Sequence, residues 1–311
     1  MIRFTKNNLK HNFKVIVFSW YRLNTMLAYT RKVGVKMNKT KKAKRVIPGF
    51  GLSMGVTISI LSIIVLIPLA SLVIYTAQMS WSDFIDTVTG ERVMASYQVS
   101  LITAFIASAI NAVMGVVLAW VLVRYKFPGK RIIDGMIELP FALPTAVAGI
   151  ALTSLTADTG FIGSFFAKFG ISIAYTRIGI TFALVFIGIP FVVRAVQPVL
   201  EKLDPVYEEA AALMGAKGLT IFRKVTFPHI KWAFLYGIVL CAARAMGEFG
   251  AVSVLSGHLR GKTNTLPLHI EILFNEFKTV PAFAVSAILV IMAVIILIIR
   301  SVIEYKGKKE S

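Results

Sequence analysis

Residues 204–228 read DPVYEEAAALMGAKGLTIFRKVTFP, a polar, glycine-punctuated insert between two long apolar runs. Asp204 is suited to cap the free N–H groups of a helix whose first position, Pro205, has no N–H to leave unsatisfied. Glu208 and Glu209 then fall in the early turns, at the positive end of the helix dipole. Ala210, Ala211 and Ala212 add helix propensity with almost no bulk. Gly215 can take the left-handed conformation that ends a helix and turns the chain back. A second segment, Leu219 to Val225, comes next with Arg223 and Lys224. The product is a slim helical knob with a sharp corner, a shape suited to docking into a groove on another protein. The alternative is a plain connector between two neighbouring helices.

The rest of the chain supplies the setting. With 57% hydrophobic and 16% charged residues in 311, it is too apolar for a water-soluble domain. Six apolar runs are each long enough to cross a bilayer core, which takes about 20 residues of helix. They lie at roughly 51–75, 95–123, 136–157, 178–200, 232–257 and 280–299. Short alternating segments, the signal of a strand barrel, do not occur. The fold expected is therefore all-α and integral to the membrane.

A net charge of +19 invites a nucleic-acid reading, but the placement of the charge opposes it. Of the 34 Lys and Arg, 26 fall on one side of the six-span arrangement and 6 on the other. Such an excess marks the cytoplasmic face. Both termini and the 204–228 insert are thus expected in the cytoplasm, and membrane lipid rather than nucleic acid is the expected partner of the basic surface. Residues 1–45 are basic and weakly patterned, without the uninterrupted apolar core of a secretory signal. They read as a cytoplasmic tail or a lipid-surface segment, or translation begins at Met37. The spans and loops occupy 46–305, and 306–311 form a short cytoplasmic tail. The lone Cys241 allows no disulfide framework and no cysteine-based metal site.

Within the insert, Glu209-Ala210-Ala211, three residues, Gly215, nine residues and then Val225-Thr226-Phe227-Pro228 closely resemble the cytoplasmic EAA loop of importer-type ABC permeases. Only Phe227 is a loose fit to the pattern. From Val46 the resemblance is extended. VIPGFGLSMG (46–55), LAWVLVRYKFPGKRIID (118–134), LPFALPTAVAGIAL (139–152) and FIGIPFVVRAVQPVL (186–200) are similar to T-type (CysT) permease subunits of bacterial sulfate/thiosulfate ABC importers. After the insert, residues 231–277 are more like the W-type (CysW) partner subunit. The T-like part covers about residues 46–205, and the sequence leaves open whether the mosaic is a natural family member or a gene fusion.

The resemblance implies a six-span type I importer domain in the bacterial inner membrane. It implies a coupling loop of Glu208, Glu209, Ala210, Ala211, Gly215 and Pro228, clamped by an ATPase dimer. Its partners would be a second permease, either W-type or another copy of this chain, and an extracytoplasmic sulfate-binding protein. ATP and Mg would be used by the partner ATPase, with no cofactor, metal or catalytic residue in this chain. Molybdate or tungstate import is the close alternative, and a passive anion channel or carrier the distant one.

Several residues keep two readings each. Pro140 and Pro144 in the third run either kink a packed helix or open an irregular turn lining a path. Arg244 and Glu248, at helical i, i+4 spacing, are either a structural ion pair or pathway charges. Arg194 can snorkel to the headgroups, and Glu138 is equally open. Residues 257–263, GHLRGKT, imitate a phosphate-binding loop but place three rather than four residues before Gly-Lys-Thr. They also come after a membrane run instead of a strand, so nucleotide binding is rejected.

Overall fold

The computed structural model describes residues 50–310, so the basic N-terminal segment and the Met37 start lie outside the described residues. The chain divides into two compact units after Ile63. The described part of the first unit is the opening of helix α1 (Phe50–Thr76), which runs on into the second. No residue of α1 is buried, as suits a helix whose solvent is hydrocarbon.

The second unit continues with α2 (Trp81–Val88), α3 (Glu91–Arg124), α4 (Lys130–Ala142), α5 (Thr145–Thr156) and α6 (Gly163–Ala167). Then come α7 (Arg177–Lys202), α8 (Val206–Leu213), α9 (Gly218–Ile221), α10 (Phe227–Met246), α11 (Gly250–Ser256), α12 (Leu266–Asn275) and α13 (Thr279–Glu310). A π-helical turn, Phe222–Thr226, joins α9 to α10. By length and composition α1, α3, α7, α13 and the continuous 218–246 segment can each cross a membrane. The α4–α5 pair makes a sixth span only as a broken one, bent by 113°.

α3, α7 and α10 form the core. Their shared faces carry Ala107 and Ala119 on α3, Val192 and Val196 on α7 and Cys241 on α10, all fully buried. Small residues permit the close backbone approach that holds helices together where lipid is as apolar as leucine. The opposite faces are apolar and exposed, as at Phe105 and Val113. The broken α4–α5 pair packs on the core through α5, whose Leu152 clusters with Ala183 and Ile187 of α7 and with Ala251 and Leu255 of α11.

Three expectations change in detail. The third run is not one helix: Leu143 adopts extended backbone ahead of Pro144, because a residue before proline is pushed out of the helical region, and the chain turns sharply there. The fifth run does not continue to residue 257, since its helix ends at Met246 and restarts at Gly250. The last helix continues through residues 306–310 instead of ending before them.

Candidate functional site

The 204–228 insert starts as its residues dictate. The Asp204 Oδ1 accepts from the Val206 N–H at 3.0 Å, ahead of α8. Gly215 ends the helix at φ +83°, with its N–H bonded to the Ala212 carbonyl at 2.9 Å and the next N–H, of Ala216, to the Ala211 carbonyl at 3.1 Å. That double closure is the Schellman ending of a helix. Beyond Gly215 the chain does not form the separate second segment expected from sequence. It enters the next span directly: α9, the π turn and α10 run on without interruption, with Pro228 in the first turn of α10.

The two glutamates have different surroundings. Glu209 and Ala210 are exposed, and Ala211 is buried beneath them. Glu208 turns inward, where its carboxylate forms an ion pair with the Arg124 Nε at 2.9 Å and accepts from the Thr226 hydroxyl at 2.6 Å. Arg124 also donates through Nη2 to the Leu203 carbonyl at 3.1 Å. The Glu208 carboxylate thereby ties the knob to the end of α3 and to the π turn that leads into α10, and Arg124 in turn ties the end of α3 to the residue that follows α7. A run of ring contacts lies along the same line, from Trp120 on α3 to Phe222, Phe227 and Phe234 at centroid spacings of 5.9, 6.0 and 5.7 Å. Outward, the knob shows apolar side chains to solvent: Leu213 is 91% exposed and Met214 82%.

Within the membrane-crossing part, Arg194 does not snorkel. It bonds through Nη1 to Asp134 (2.7 Å) and Gln197 (2.6 Å), and through Nη2 to the Glu138 carboxylate (2.9 Å) and the Asp134 carbonyl (3.0 Å). This fastens α4 to α7. Arg244 and Glu248 do pair, although not on one helix face: Arg244 is in the last turn of α10, and Glu248 lies in the three-residue break before α11. The Glu248 side chain is 1% exposed and its Oε1 accepts from the Ala251 N–H at 3.0 Å, while the Arg244 side chain remains 35% exposed.

The 257–263 segment is a tied turn. The Thr263 hydroxyl donates to the Ser256 carbonyl at 2.7 Å and accepts from the Leu259 N–H, and Arg177 donates to the Lys262 carbonyl. Beyond it, Arg260 and Lys278 both pair with Glu276; the Lys278 hydrogen bond, then that of Arg260, holds the Glu276 carboxyl below its usual range. His269 is pushed toward its neutral form, first by burial and then by the nearby Arg260 charge.

The residue missed by sequence reading is Arg124. In the sequence it is one of the Lys and Arg that weight the cytoplasmic side, and nothing local to it announces Glu208 as its partner.

Comparison with known proteins agrees with this architecture. Residues 111–309 match the family described as the binding-protein-dependent transport system inner membrane component. The sulfate transport system permease protein CysT of Salmonella typhimurium is 46% identical over 255 residues, covering 82% of this chain and 92% of that protein. The Synechocystis CysT is 40% identical, covering 82% and 89%. The Synechocystis CysW is 36% identical over 272 residues, covering 88% and 96%. Matches this long necessarily take in the 204–228 insert, so the T-type likeness is not confined to the front of the chain. Among solved structures, a chain of a bacterial ABC transporter involved in the import of the acidic polysaccharide alginate has the same fold. Its TM-score is 0.67 at 14% identity, over 84% of this chain and 96% of that one.

Proposed function

The chain belongs to the family of binding-protein-dependent transport system inner membrane components and, within it, to the sulfate transport permeases, and we infer that it is the membrane permease subunit of an ATP-driven sulfate importer. In this reading it hydrolyses nothing itself. A separate ATPase dimer takes up ATP and Mg on the cytoplasmic side, where both termini and the knob lie, and an extracytoplasmic binding protein delivers the anion. A second permease, W-type or another copy of this chain, completes the pathway. Thiosulfate stands beside sulfate as the transported anion, and import of molybdate or tungstate is the alternative reading.

The observation that carries the coupling role is the two-sided character of the knob. Its outer side shows Leu213 and Met214 to solvent, an apolar patch with the makings of an interface anchor. Its inner side is bonded through Glu208 to Arg124 of α3 and to Thr226 of the 218–246 span, and Arg124 carries the link on to Leu203 at the end of α7. A push on the knob from a closing ATPase dimer therefore displaces α3, α7 and α10 together, since a packed core moves as a body and does not deform locally. A passive carrier would need neither side.

Co-purification tests the reading. The full chain, expressed with its ATPase, should bring the ATPase through purification, and Leu213→Asp with Met214→Asp should release it and abolish sulfate uptake while the chain still inserts. Sulfate uptake that persists without an ATPase would overturn the reading in favour of a passive carrier.

A further inference from the structure

A sulfate dianion cannot shed its water into hydrocarbon, so a protein that passes it through a membrane must offer charge or hydrogen-bond donors on the way. Two cations fall within the six apolar runs, Arg194 and Arg244, and they differ in what remains of their charge. Arg194 faces two carboxylates, Asp134 and Glu138, as well as the Gln197 amide oxygen and the Asp134 carbonyl. That cluster is net negative and repels an anion.

Arg244 has one carboxylate partner, and the two members of the pair face different surroundings. Glu248 is almost wholly buried, with its other oxygen engaged by the Ala251 N–H at the start of α11. About a third of the Arg244 side chain stays open. The counter-ion is anchored in the core, and the cation stands at the surface of that core.

The pair also sits where two broken helices begin against each other. At Gly250 a Cβ would run into the Thr145 hydroxyl and stand 3.0 Å from the Ala146 nitrogen, so only glycine allows the start of α11 to meet the start of α5. Interrupted helices inside a membrane are tolerated where they are enclosed by protein or line a cavity, and they are where transporters hold their ions. Guanidinium is also the side chain whose fork of donors matches a tetrahedral oxyanion in bidentate fashion.

We propose that Arg244 is the residue that contacts the oxyanion as it crosses the membrane, with Glu248 as the fixed counter-ion that holds the guanidinium between passages. The inference rests on the importer reading above. No bond is made or broken; the guanidinium exchanges a carboxylate for a dianion and returns.

The experiment uses the whole importer, with partner permease, ATPase and binding protein, and reads sulfate carried per ATP hydrolysed. Arg244→Gln alone leaves Glu248 buried without its cation, which harms folding for reasons unrelated to transport. The informative variant is therefore Arg244→Gln with Glu248→Gln, which removes both charges. It should assemble and retain ATPase, yet carry sulfate at least 10-fold less per ATP. Recovery to near the native ratio would make the pair structural and overturn the proposal.

Glu248→Gln with Arg244 intact gives a second reading that does not need transport. Equilibrium binding of radiolabelled sulfate to the solubilised complex, without binding protein and against a chloride background, should rise several-fold over the native chain. Unchanged or weaker binding would also overturn the proposal. If the native complex itself neither retains ATPase nor takes up sulfate, it is the importer reading that has failed, and the two failures are distinct.

Discussion

The Arg124–Glu208 and Arg244–Glu248 pairs use the same chemistry in different surroundings. Arg124 and Glu208 come from elements far apart in the chain, both side chains are largely buried, and each makes a further bond to a third element. Arg244 and Glu248 are four residues apart, one nearly sealed and the other a third open. A long-range pair with additional bonds on both sides fixes the relative position of whole helices, so a displacement at one is felt at the other. A local pair fixes only a side chain. In the proposed importer, the first would transmit force and the second would hold a charge ready.

Breaking the first pair should give the largest effect. Arg124→Ala leaves the largely buried Glu208 with only the Thr226 hydroxyl, a loss above the roughly 1–3 kcal/mol of an unsatisfied neutral group because a charge is left unpaired. The apolar outer side of the knob is untouched. ATPase should therefore still co-purify, while sulfate carried per ATP falls by roughly 10-fold or more, and Arg124→Lys should recover part of it. If ATPase retention is lost together with uptake, the brace shapes the docking surface and does not transmit.

Gly215→Val sharpens the comparison by altering the shape of the knob without touching either pair. At φ +83° a residue bearing a Cβ is strained by about 1–2 kcal/mol, and no atom lies within 4 Å of that Cβ to add a clash. The expected result is a parallel, several-fold fall in ATPase retention and uptake, in contrast to the uncoupling expected from Arg124→Ala. Normal retention would mean that the corner at Gly215 does not form part of the docking shape.

Legibility in the sequence tracks the range of the forces involved. The start of α8 after Asp204 and its end before Gly215 depend on capping and backbone freedom within a few residues, so the letters announce them. The membrane-crossing character and the charge asymmetry are sums over many residues and are equally plain. The break at residues 247–249 was hidden because Arg244 and Glu248 keep helical spacing inside an apolar run; the helix gives way there as Glu248 turns to cap α11 and Gly250 closes on Thr145. Pro144 signalled an interruption but not a turn of 113°, which depends on how α5 packs against α11. The partnership of Arg124 with Glu208 has no local signature, because only the packing of α3, α7 and α10 brings the two together.

The smallest effect is expected at His269 in α12, where an ionisable group is perturbed chiefly by burial. The charges that act on it are Arg260 and Arg92, which oppose its protonation, and Glu276, which favours it; burial and Arg260 prevail and hold its pKa below the ordinary 6.5. In the window between the folded and unfolded values the unfolded chain binds the extra proton, so stability rises with pH there. The contribution is present above pH 6.5 and is lost as pH falls through that value toward the folded one. Thermal melting of the solubilised chain should accordingly move to lower temperature between about pH 7.5 and about pH 5.5, and His269→Gln should flatten part of that slope without altering ATPase retention. A melting profile whose slope is the same with and without the imidazole would overturn the assignment to His269, because Glu276, held below its usual range by Lys278 and Arg260, keeps its charge and its pairing throughout this interval.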